Sequence, residues 1–472
     1  MKSTPIMSNL QNGINHILEE HPIIREVVHE IDMHHGRALL VGGAVRDIFL
    51  GRESKDIDIE VHNLSLKKLE YILQKHGPVS TVGKSFGVLR VHSLDVDWSL
   101  PRTDSMGRKP IVKIDPSMSF KKAFERRDLT INAMGIDLKT KELIDPFGGQ
   151  HDLEQKILRA PNPETFVEDP LRFYRVMQMI GRFEMYPDDE LQALCRKMSL
   201  ADVSRERIEL EFEKLLLQSE FPSRGLRWLH EIGRLAEVLP ELAATVGVEQ
   251  DPRWHPEGDV FEHTMQALDA AAAIARTYDD RHKALVLLYT ALCHDLGKAT
   301  TTQKTPNGIT SYNHEVEGVE LGRSMLKHIT ENHDIKAAVL KLVRHHMTPV
   351  IFVKDGAKPS AYKRLANKLA PEATIALLGD LAYADVRGRN PIEQRPLTID
   401  IPEIGIFLER AQEAHVRDTA EAPILKGRDL LDIMSPGKKM GELLDRAYEI
   451  QIEEGITDIE TLKKRVLADH KI

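Results

Sequence analysis

The sequence predicts an α+β chain: a head built on a mixed sheet with helices, then an all-α neck and body, then a second all-α domain. Three observations predict it. Short runs that alternate apolar and polar residues (Ala38–Val41, Asp56–Val61, Val88–Val91 and Val96–Leu100) crowd residues 31–150, and a period of two is the signal of half-buried strands. From His151 onward such runs give way to helical periodicity, as in Leu191–Met198 and Ser204–Leu217, with Pro222 and Pro240 as breakers. At 472 residues the chain is too long for one core, and about three domains are expected.

Taken in order, residues 1–30 read as a helical lead-in, 31–150 as the head and 151–248 as the neck and body. A hydrophilic stretch with Pro252 and Pro256 marks the next boundary, so that 249–400 form the second helical domain and 401–472 a helical tail. Within the head, Arg37–Val41 reads as a strand, Gly42-Gly43 as a tight turn and Ala44–Leu50 as one or two helical turns ended by Gly51. A glycine pair lets backbone N–H groups approach phosphate oxygens closely, and a helix N-terminus adds a favourable dipole. No Gly-Lys-Ser/Thr follows, so this is not a Walker loop.

The next strand, Asp56-Ile57-Asp58-Ile59-Glu60-Val61-His62, turns Ile57, Ile59 and Val61 towards a core and Asp56 and Asp58 together towards the other face. Two carboxylates so placed can hold divalent ions roughly 3.5–4 Å apart, activating an attacking oxygen and stabilising a leaving one. A strand with acidic residues on its wet side would carry the same pattern. Asp97, on the alternating run Val96–Leu100, is a candidate third carboxylate.

Composition narrows the class. Hydrophobic residues make up 42% and charged residues 29%, the balance of a soluble globular protein. Two cysteines, Cys195 and Cys293, give no disulfide framework, and a reducing cytoplasm is expected. The N-terminus lacks a basic start followed by an apolar run, and no apolar stretch approaches membrane-spanning length. A net charge of −9 does not advertise nucleic-acid binding, yet local phosphate contacts decide that affinity. Basic clusters are present at Lys121-Lys122 with Arg126-Arg127, at Arg205 and Arg207, and at Lys354, Lys358, Lys363, Arg364 and Lys368.

Gly42-Gly43-Ala44-Val45-Arg46-Asp47, then Leu50-Gly51, then Asp56-Ile57-Asp58 resembles the signature of the polymerase-β-like nucleotidyltransferases of the bacterial class II CCA-adding enzyme and poly(A) polymerase family. Further matches follow in the family's order. Arg126-Arg127-Asp128 with Asn132 resembles the motif that contacts ribose and triphosphate, and Asp145-Pro146-Phe147-Gly148-Gly149 the hinge between head and neck. Glu168-Asp169-Pro170-Leu171-Arg172 to Arg175 resembles the segment that reads the incoming base, and Ser204–Ile208 with Glu211 the neck element that braces it. The resemblance implies Mg²⁺ at Asp56 and Asp58. It also implies a nucleotide seated by Gly43, Arg46, Arg126, Arg127, Asp128 and Asn132, with the base selected by Asp169, Arg172 and Arg175.

The base-reading expectation has a physical form. On a helix, Asp169, Arg172 and Arg175 would fall at three-residue steps along one side. A carboxylate only accepts hydrogen bonds and a guanidinium only donates them. Side by side they match the amino group and ring nitrogen that cytosine and adenine share. Guanine and uracil would leave those groups unsatisfied, which is strong discrimination. A solvent-exposed ion pair would show the same spacing.

The second helical domain carries its own constellation. His263, the pair His294-Asp295 at the end of the apolar run Ala284–Cys293, and Asp385 offer imidazole and carboxylate ligands from separate helices. Such a set suits Ni, Mn, Co, Fe or Mg better than a closed zinc site. The run Cys293-His294-Asp295-Leu296-Gly297-Lys298 resembles the HD phosphohydrolase superfamily. Trp254-His255-Pro256-Glu257 and Ala384–Arg389 resemble the version fused to bacterial CCA-adding enzymes, which implies phosphatase, 2′-nucleotidase and 2′,3′-cyclic phosphodiesterase activities. His314, His345 and His346 are expected to pack or hydrogen-bond within the helical body, with a second ion or a phosphate as the alternative, and Cys293 to be a small core residue.

The expectation is an enzyme that adds CCA to the 3′ end of tRNA from CTP and ATP without a template, joined to a metal-dependent phosphohydrolase. Three alternatives stay open: a poly(A) polymerase or A-only adding enzyme, an HD hydrolase whose N-terminal half only binds RNA, and a non-catalytic RNA-binding module. A homodimer through the tail is likewise left open.

Overall fold

The computed structural model describes residues 5–53, 56–82, 87–92, 94–104 and 112–470. The chain divides into two compact units, Met1–Ile208 and Glu209–Ile472.

The first unit opens with the helices Pro5–Glu20 and Pro22–Met33; Ile24, Val27, Val28 and Ile31 of the second form its buried stripe. Nine short strands follow: β1 (Arg37–Val41), β2 (Ile57–His62), β3 (Val79–Val82), β4 (Val88–Val91), β5 (Val96–Ser99), β6 (Arg102–Asp104), β7 (Val112–Ile114), β8 (Gly135–Asp137) and β9 (Leu143–Ile144). Seven of them make one mixed sheet in the order β3-β4-β5-β2-β1-β8-β9, and β6 pairs β7 separately. Only β2 and β5 run parallel within the large sheet. The period of two in β2 does what was expected of it: Ile57, Ile59 and Val61 are buried. Asp56 falls one residue ahead of the strand, since β2 begins at Ile57. The segments β3, β6, β7, β8 and β9 were not anticipated; pairing with neighbouring strands makes them strands.

Beyond the sheet the first unit is helical apart from a two-residue pairing of Ile157–Leu158 with Tyr186–Pro187. Leu171–Phe183 is its most buried helix, with ten buried residues. The helix begins after Pro170, so Asp169 lies outside it and the expected three-step alignment on one helix face is not formed. Asp169 instead stands at the helix start, where its Oδ1 accepts the Leu171 N–H at 3.1 Å. The Asp145 carboxylate accepts the N–H groups of Gly149 and Gln150 at 2.7 and 2.9 Å, closing the start of the helix Gly149–Gln155. Gly148 there has φ +73°, and a Cβ on Gly149 would lie 2.2 Å from the Thr130 carbonyl oxygen; both positions need glycine.

The second unit is helical except for the hairpin Gln303–Thr305 with Gly308–Thr310. Its central helix, Arg281–Cys293, is buried at every position from Ala284 to Cys293, as a helix apolar on all sides should be. Cys293 is one of these core residues. Around it pack Val260–Ala275, His333–His345 and Ile375–Arg387. Two close approaches fix this packing. A Cβ on Gly388 would meet the Ala267 backbone nitrogen at 2.7 Å, and one on Gly297 would meet the His314 carbonyl oxygen at 2.0 Å. The tail folds as the helices Lys438–Glu454 and Ile459–His470 around Leu443, Ala447, Ile450, Leu462 and Val466. No helix among the described residues is long and apolar enough to cross a membrane.

Candidate functional site

In the head, β1 ends at Val41, and Gly42 turns the chain with φ +75° into the short helix Gly43–Phe49. A Cβ on Gly42 would lie 3.0 Å from Nη1 of Arg127 and 3.7 Å from Oδ2 of Asp58, so the glycine lets both side chains close on the turn. Val41 pairs with Asp58 across β1 and β2, and Asp58 pairs with Asp97 across the parallel strands β2 and β5. Paired residues share a face of the sheet, which brings Asp97 beside Asp58. Asp58 is accessible to solvent, yet loss of hydration among the surrounding atoms raises its pKa; Arg127 opposes this, while Asp97 and Asp56 add to it. Arg90 donates to Asp97 Oδ1 at 2.7 Å.

Glu60, next along the same face of β2, escaped the sequence reading although the i+2 spacing points to it. It is buried, 3.1 Å from His62 Nε2, with Arg126 and Arg127 at 4.0 and 3.7 Å. Burial raises the Glu60 pKa, but the His62 hydrogen bond and the arginines outweigh it and hold it low. Asp58 and Glu60 thus flank Arg127, one accessible and one buried.

The remaining expected nucleotide contacts form a chain of side chains. Arg46 is buried, donating to Asn132 Oδ1 at 2.7 Å and to Asp47 at 2.8 Å, with its guanidinium 4.5 Å from the Phe183 ring centre. Asn132 Nδ2 donates to Asp128 Oδ1 at 3.0 Å, and Arg175 donates to Asp128 Oδ2 at 2.8 Å. Burial pushes the Asp128 pKa up, but Arg175 and Asn132 bring it down to about 2. Arg172 donates to the carbonyl oxygens of Thr165, at 2.7 Å, and Arg126. Asp169 accepts from Arg207 at 2.9 Å. Asp169, Arg172 and Arg175 therefore each have a separate partner, and Arg46 is enclosed rather than displayed.

In the second unit, His263, His294, Asp295 and Asp385 come together. Nε2 of His263 lies 3.3 Å from Nε2 of His294, 3.2 Å from Asp385 Oδ1 and 3.5 Å from Asp295 Oδ2. His294 Nε2 lies 3.3 Å from Asp295 Oδ2, and its Nδ1 faces the Ala291 carbonyl at 2.8 Å. Burial alone would lower the His263 pKa, but Asp385, Glu257 and Asp295 raise it to about 9. Asp295 and Asp385 are held well below the usual range: burial pushes them up, but Lys298 and His294 overcome it for Asp295, as Arg389 and His263 do for Asp385.

Four partners in this cluster lie within the motifs quoted from the sequence but were given no role of their own there. Glu257 Oε1 lies 2.7 Å from Nδ1 of His263 and 3.0 Å from Nδ1 of His255. Lys298 Nζ lies 2.7 Å from Asp295 Oδ2, and Arg389 donates to Asp385 Oδ1 at 2.7 Å. Lys298 sits three residues after Asp295 and Arg389 four after Asp385, helical spacings that could have flagged both. His314 and His346 hydrogen-bond within the helical body as expected, with Nδ1 facing the Ser311 and Val343 carbonyls at 2.7 and 2.8 Å, and their Nε2 atoms also lie 3.4 and 3.7 Å from Asp295 Oδ1. Among the described residues, His345 joins no cluster of ligand-type side chains.

Comparison with known proteins gives matches along most of the chain. A family model described as "Poly A polymerase head domain" matches residues 38–159, and one described as "HD domain" matches 260–387. Between them, residues 187–245 match "Probable RNA and SrmB- binding site of polymerase A". A protein of Stenotrophomonas maltophilia named Multifunctional CCA protein is 33% identical over 425 residues, covering 86% of this chain and 97% of its own. Among solved structures, a CCA-adding enzyme in complex with CTP aligns with a TM-score of 0.63 at 17% identity, over 99% of both chains. The Thermotoga maritima CCA-adding enzyme complexed with tRNA_CCA aligns with a TM-score of 0.60 at 19% identity, over 98% of both. By fold and by sequence the chain belongs to the multifunctional CCA protein family, with a poly A polymerase head followed by an HD domain.

Proposed function

We propose that this chain is a cytoplasmic nucleotidyltransferase that adds C, C and A to the 3′ end of tRNA from CTP and ATP, and that its HD domain is a metal-dependent phosphohydrolase. The observation that carries the first part is the pairing of Asp58 with Asp97 beside the Gly42 turn and Arg127, in a chain whose relative is named Multifunctional CCA protein. Asp56 and Asp97 both raise the proton affinity of Asp58, the mark of a site short of positive charge, and an all-oxygen donor set fits a hard divalent cation. Asp56 and Asp58 would hold Mg²⁺, which supplies charge neutralisation on the triphosphate and eases deprotonation of the RNA 3′-hydroxyl.

The chain's own residues seat the nucleotide. Gly42 and Gly43 bring backbone to the phosphates, and Arg126 and Arg127, anchored on Glu60, meet their charge. Arg46, Asn132, Asp128 and Arg175 form the brace behind them. Asp169, steadied by Arg207, presents the acceptor and Arg172 the donor that cytosine and adenine require.

In the HD domain, His263, His294, Asp295 and Asp385 would hold a divalent transition metal such as Ni, Mn or Co, or Mg, which activates water for attack at phosphorus. The fit is the convergence of two imidazole nitrogens 3.3 Å apart on two carboxylates, a mixed donor set of the borderline type. Glu257 orients His263 as an outer carboxylate does for a ligand histidine. Phosphatase, 2′-nucleotidase and 2′,3′-cyclic phosphodiesterase activities follow as the proposed reactions.

Offering tRNA that lacks its terminal CCA with CTP alone, ATP alone or both tests the main reading. Two C residues from CTP alone and a full CCA from both are expected. Extension by ATP alone, with CTP refused, would make the enzyme an A-adding one. Failure with every nucleotide would leave only RNA binding.

A further inference from the structure

We propose that Glu60 is a positioning residue of the head site: its buried carboxylate draws Arg127 off Asp58 and so leaves Asp58 open to the divalent cation. This rests on the reading of Asp56 and Asp58 as the magnesium ligands, and adds a residue that acts on them through the arginine. Asp58, Glu60 and His62 take alternate positions of β2 and so share one face of it. β2 lies inside the sheet, between β1 and β5, where Glu60 pairs with Leu39 and Ser99. Along that face the strand passes from accessible Asp58 to Glu60 and His62, each 1% exposed.

A carboxylate so placed is costly unless it is paired, and its two oxygens have different partners. Oε1 lies 3.1 Å from His62 Nε2, while His62 Nδ1 lies 3.2 Å from the Met118 carbonyl oxygen. Burial works against the charge on Glu60, but the His62 bond and the arginines outweigh it. Neither an ionised carboxylate nor a carbonyl can donate, so both ring nitrogens of His62 carry protons. The Phe120 ring stands edge-on to the imidazole, with centres 4.7 Å apart, and closes this end. Oε2 of Glu60 faces the arginines, 3.7 Å from Arg127 Nη2 and 4.0 Å from Arg126 Nη2.

These are ion-pair distances, longer than a hydrogen bond, so Arg127 is attracted to Glu60 without being locked there. At the Gly42 turn, a single Cβ would lie 3.0 Å from Arg127 Nη1 and 3.7 Å from Asp58 Oδ2. Arg127 therefore has a carboxylate on each side. Burial raises the pKa of both, and Arg127 opposes it at both. The Arg127 Nε is buried and has no hydrogen-bond partner among the described residues. A guanidinium and a divalent cation compete for the same carboxylate oxygens, because each meets the same negative charge. Glu60 offers the arginine a second anion, one that burial shuts away from the cation. Attraction there weakens the hold on Asp58, and leaves the arginine free to turn to the phosphates.

The test measures Mn²⁺ binding to the full-length chain, from the electron paramagnetic resonance signal of the free ion, in an Asp295→Ala background chosen to silence the HD site. The head's share is the binding lost on adding Asp58→Ala. Glu60→Gln should weaken that share roughly tenfold, the size of a one-charge effect at this range. Arg127→Gln removes the competitor and should tighten it, and Glu60→Gln should then have no further effect in the Arg127→Gln chain. Nucleotide addition gives a second readout: Glu60→Gln should need more Mg²⁺ for half-maximal rate, and the deficit should close as Mg²⁺ is raised. Unchanged binding in Glu60→Gln would overturn the proposal. So would weakening of equal size in both backgrounds, which would mean that Glu60 attracts the cation directly. Arg127→Gln that binds no more tightly than its parent would overturn it as well, even if Glu60→Gln failed to fold. Equal binding by the parent and by Asp58→Ala would overturn the magnesium reading itself, and the proposal with it.

Discussion

Asp58 stands between opposing influences. Loss of hydration raises its pKa, Arg127 lowers it, and Asp97 and Asp56 raise it again. Binding a cation there must displace the proton. The Mg²⁺ concentration giving half-maximal nucleotide addition should therefore rise as pH falls through that raised value. Asp97→Asn removes a charge that raises Asp58, so it should move this acid limb to lower pH. An unmoved limb would mean that the paired strands do not couple the two groups. The Arg207–Asp169 pair makes a different prediction. Half exposed, it contributes at most about 1 kcal/mol to stability, so Arg207→Ala should leave the melting temperature nearly unchanged. It should instead raise misincorporation of UMP and GMP, by loosening the acceptor proposed to reject them. Unchanged fidelity would reduce the pair to a surface contact. At this scale the sequence disclosed the acidic residues and the arginines by type and spacing. It did not disclose partners such as Glu60 with Arg127, which are brought together by segments distant in sequence.

Elements place these side chains, and two of them carry measurable consequences. Gly297→Ala would put a methyl group against the His314 carbonyl. Relief requires a backbone shift costing about 1–3 kcal/mol, and the displaced helix should take His314 out of the cluster. Chemical denaturation should show the loss in the second unit; a neutral variant would mean that the glycine contact is dispensable. The helix Ser223–Glu231 starts after Pro222, which provides no side-chain cap. Asp269, from the helix Val260–Ala275, accepts from the Ser223 N–H at 3.0 Å and its hydroxyl at 2.6 Å. Burial raises the Asp269 pKa to about 7 despite these bonds. A folded value above the unfolded one means that the folded state holds the proton more tightly. Its contribution is complete below about pH 4 and is lost as pH rises through 7, by on the order of 4 kcal/mol. Asp269→Asn should thus stabilise the second unit at pH 8 and change little at pH 4, measured by urea unfolding at both values. A gain at pH 4 equal to that at pH 8 would contradict this. The long helices were legible in their periodicity. Asp169 was misplaced because the residue before a proline is disfavoured in the helical region and the helix starts at Leu171, two residues on, and β8 and β9 were missed because pairing rather than pattern makes them strands.

Across the molecule, the two candidate sites fall in two compact units, each with its own acidic and basic partners. The sheet-to-helix change after His151 was visible from the ordering of periods, and so was the His263, His294, Asp295 and Asp385 constellation. The place of His314 and His346 beside Asp295 was not legible, because a histidine on a helix reads alike in a core and in a metal site until its neighbours are known. Independence of the two sites is the central claim, and one crossed measurement tests it most directly. Wild type, Asp58→Ala and Asp295→Ala are each assayed for nucleotide addition to tRNA lacking CCA and for metal-dependent hydrolysis of a 2′,3′-cyclic nucleotide. The expected result is that Asp58→Ala loses only addition and Asp295→Ala loses only hydrolysis. Loss of both activities in either variant, or hydrolysis that persists in Asp295→Ala, would contradict the account.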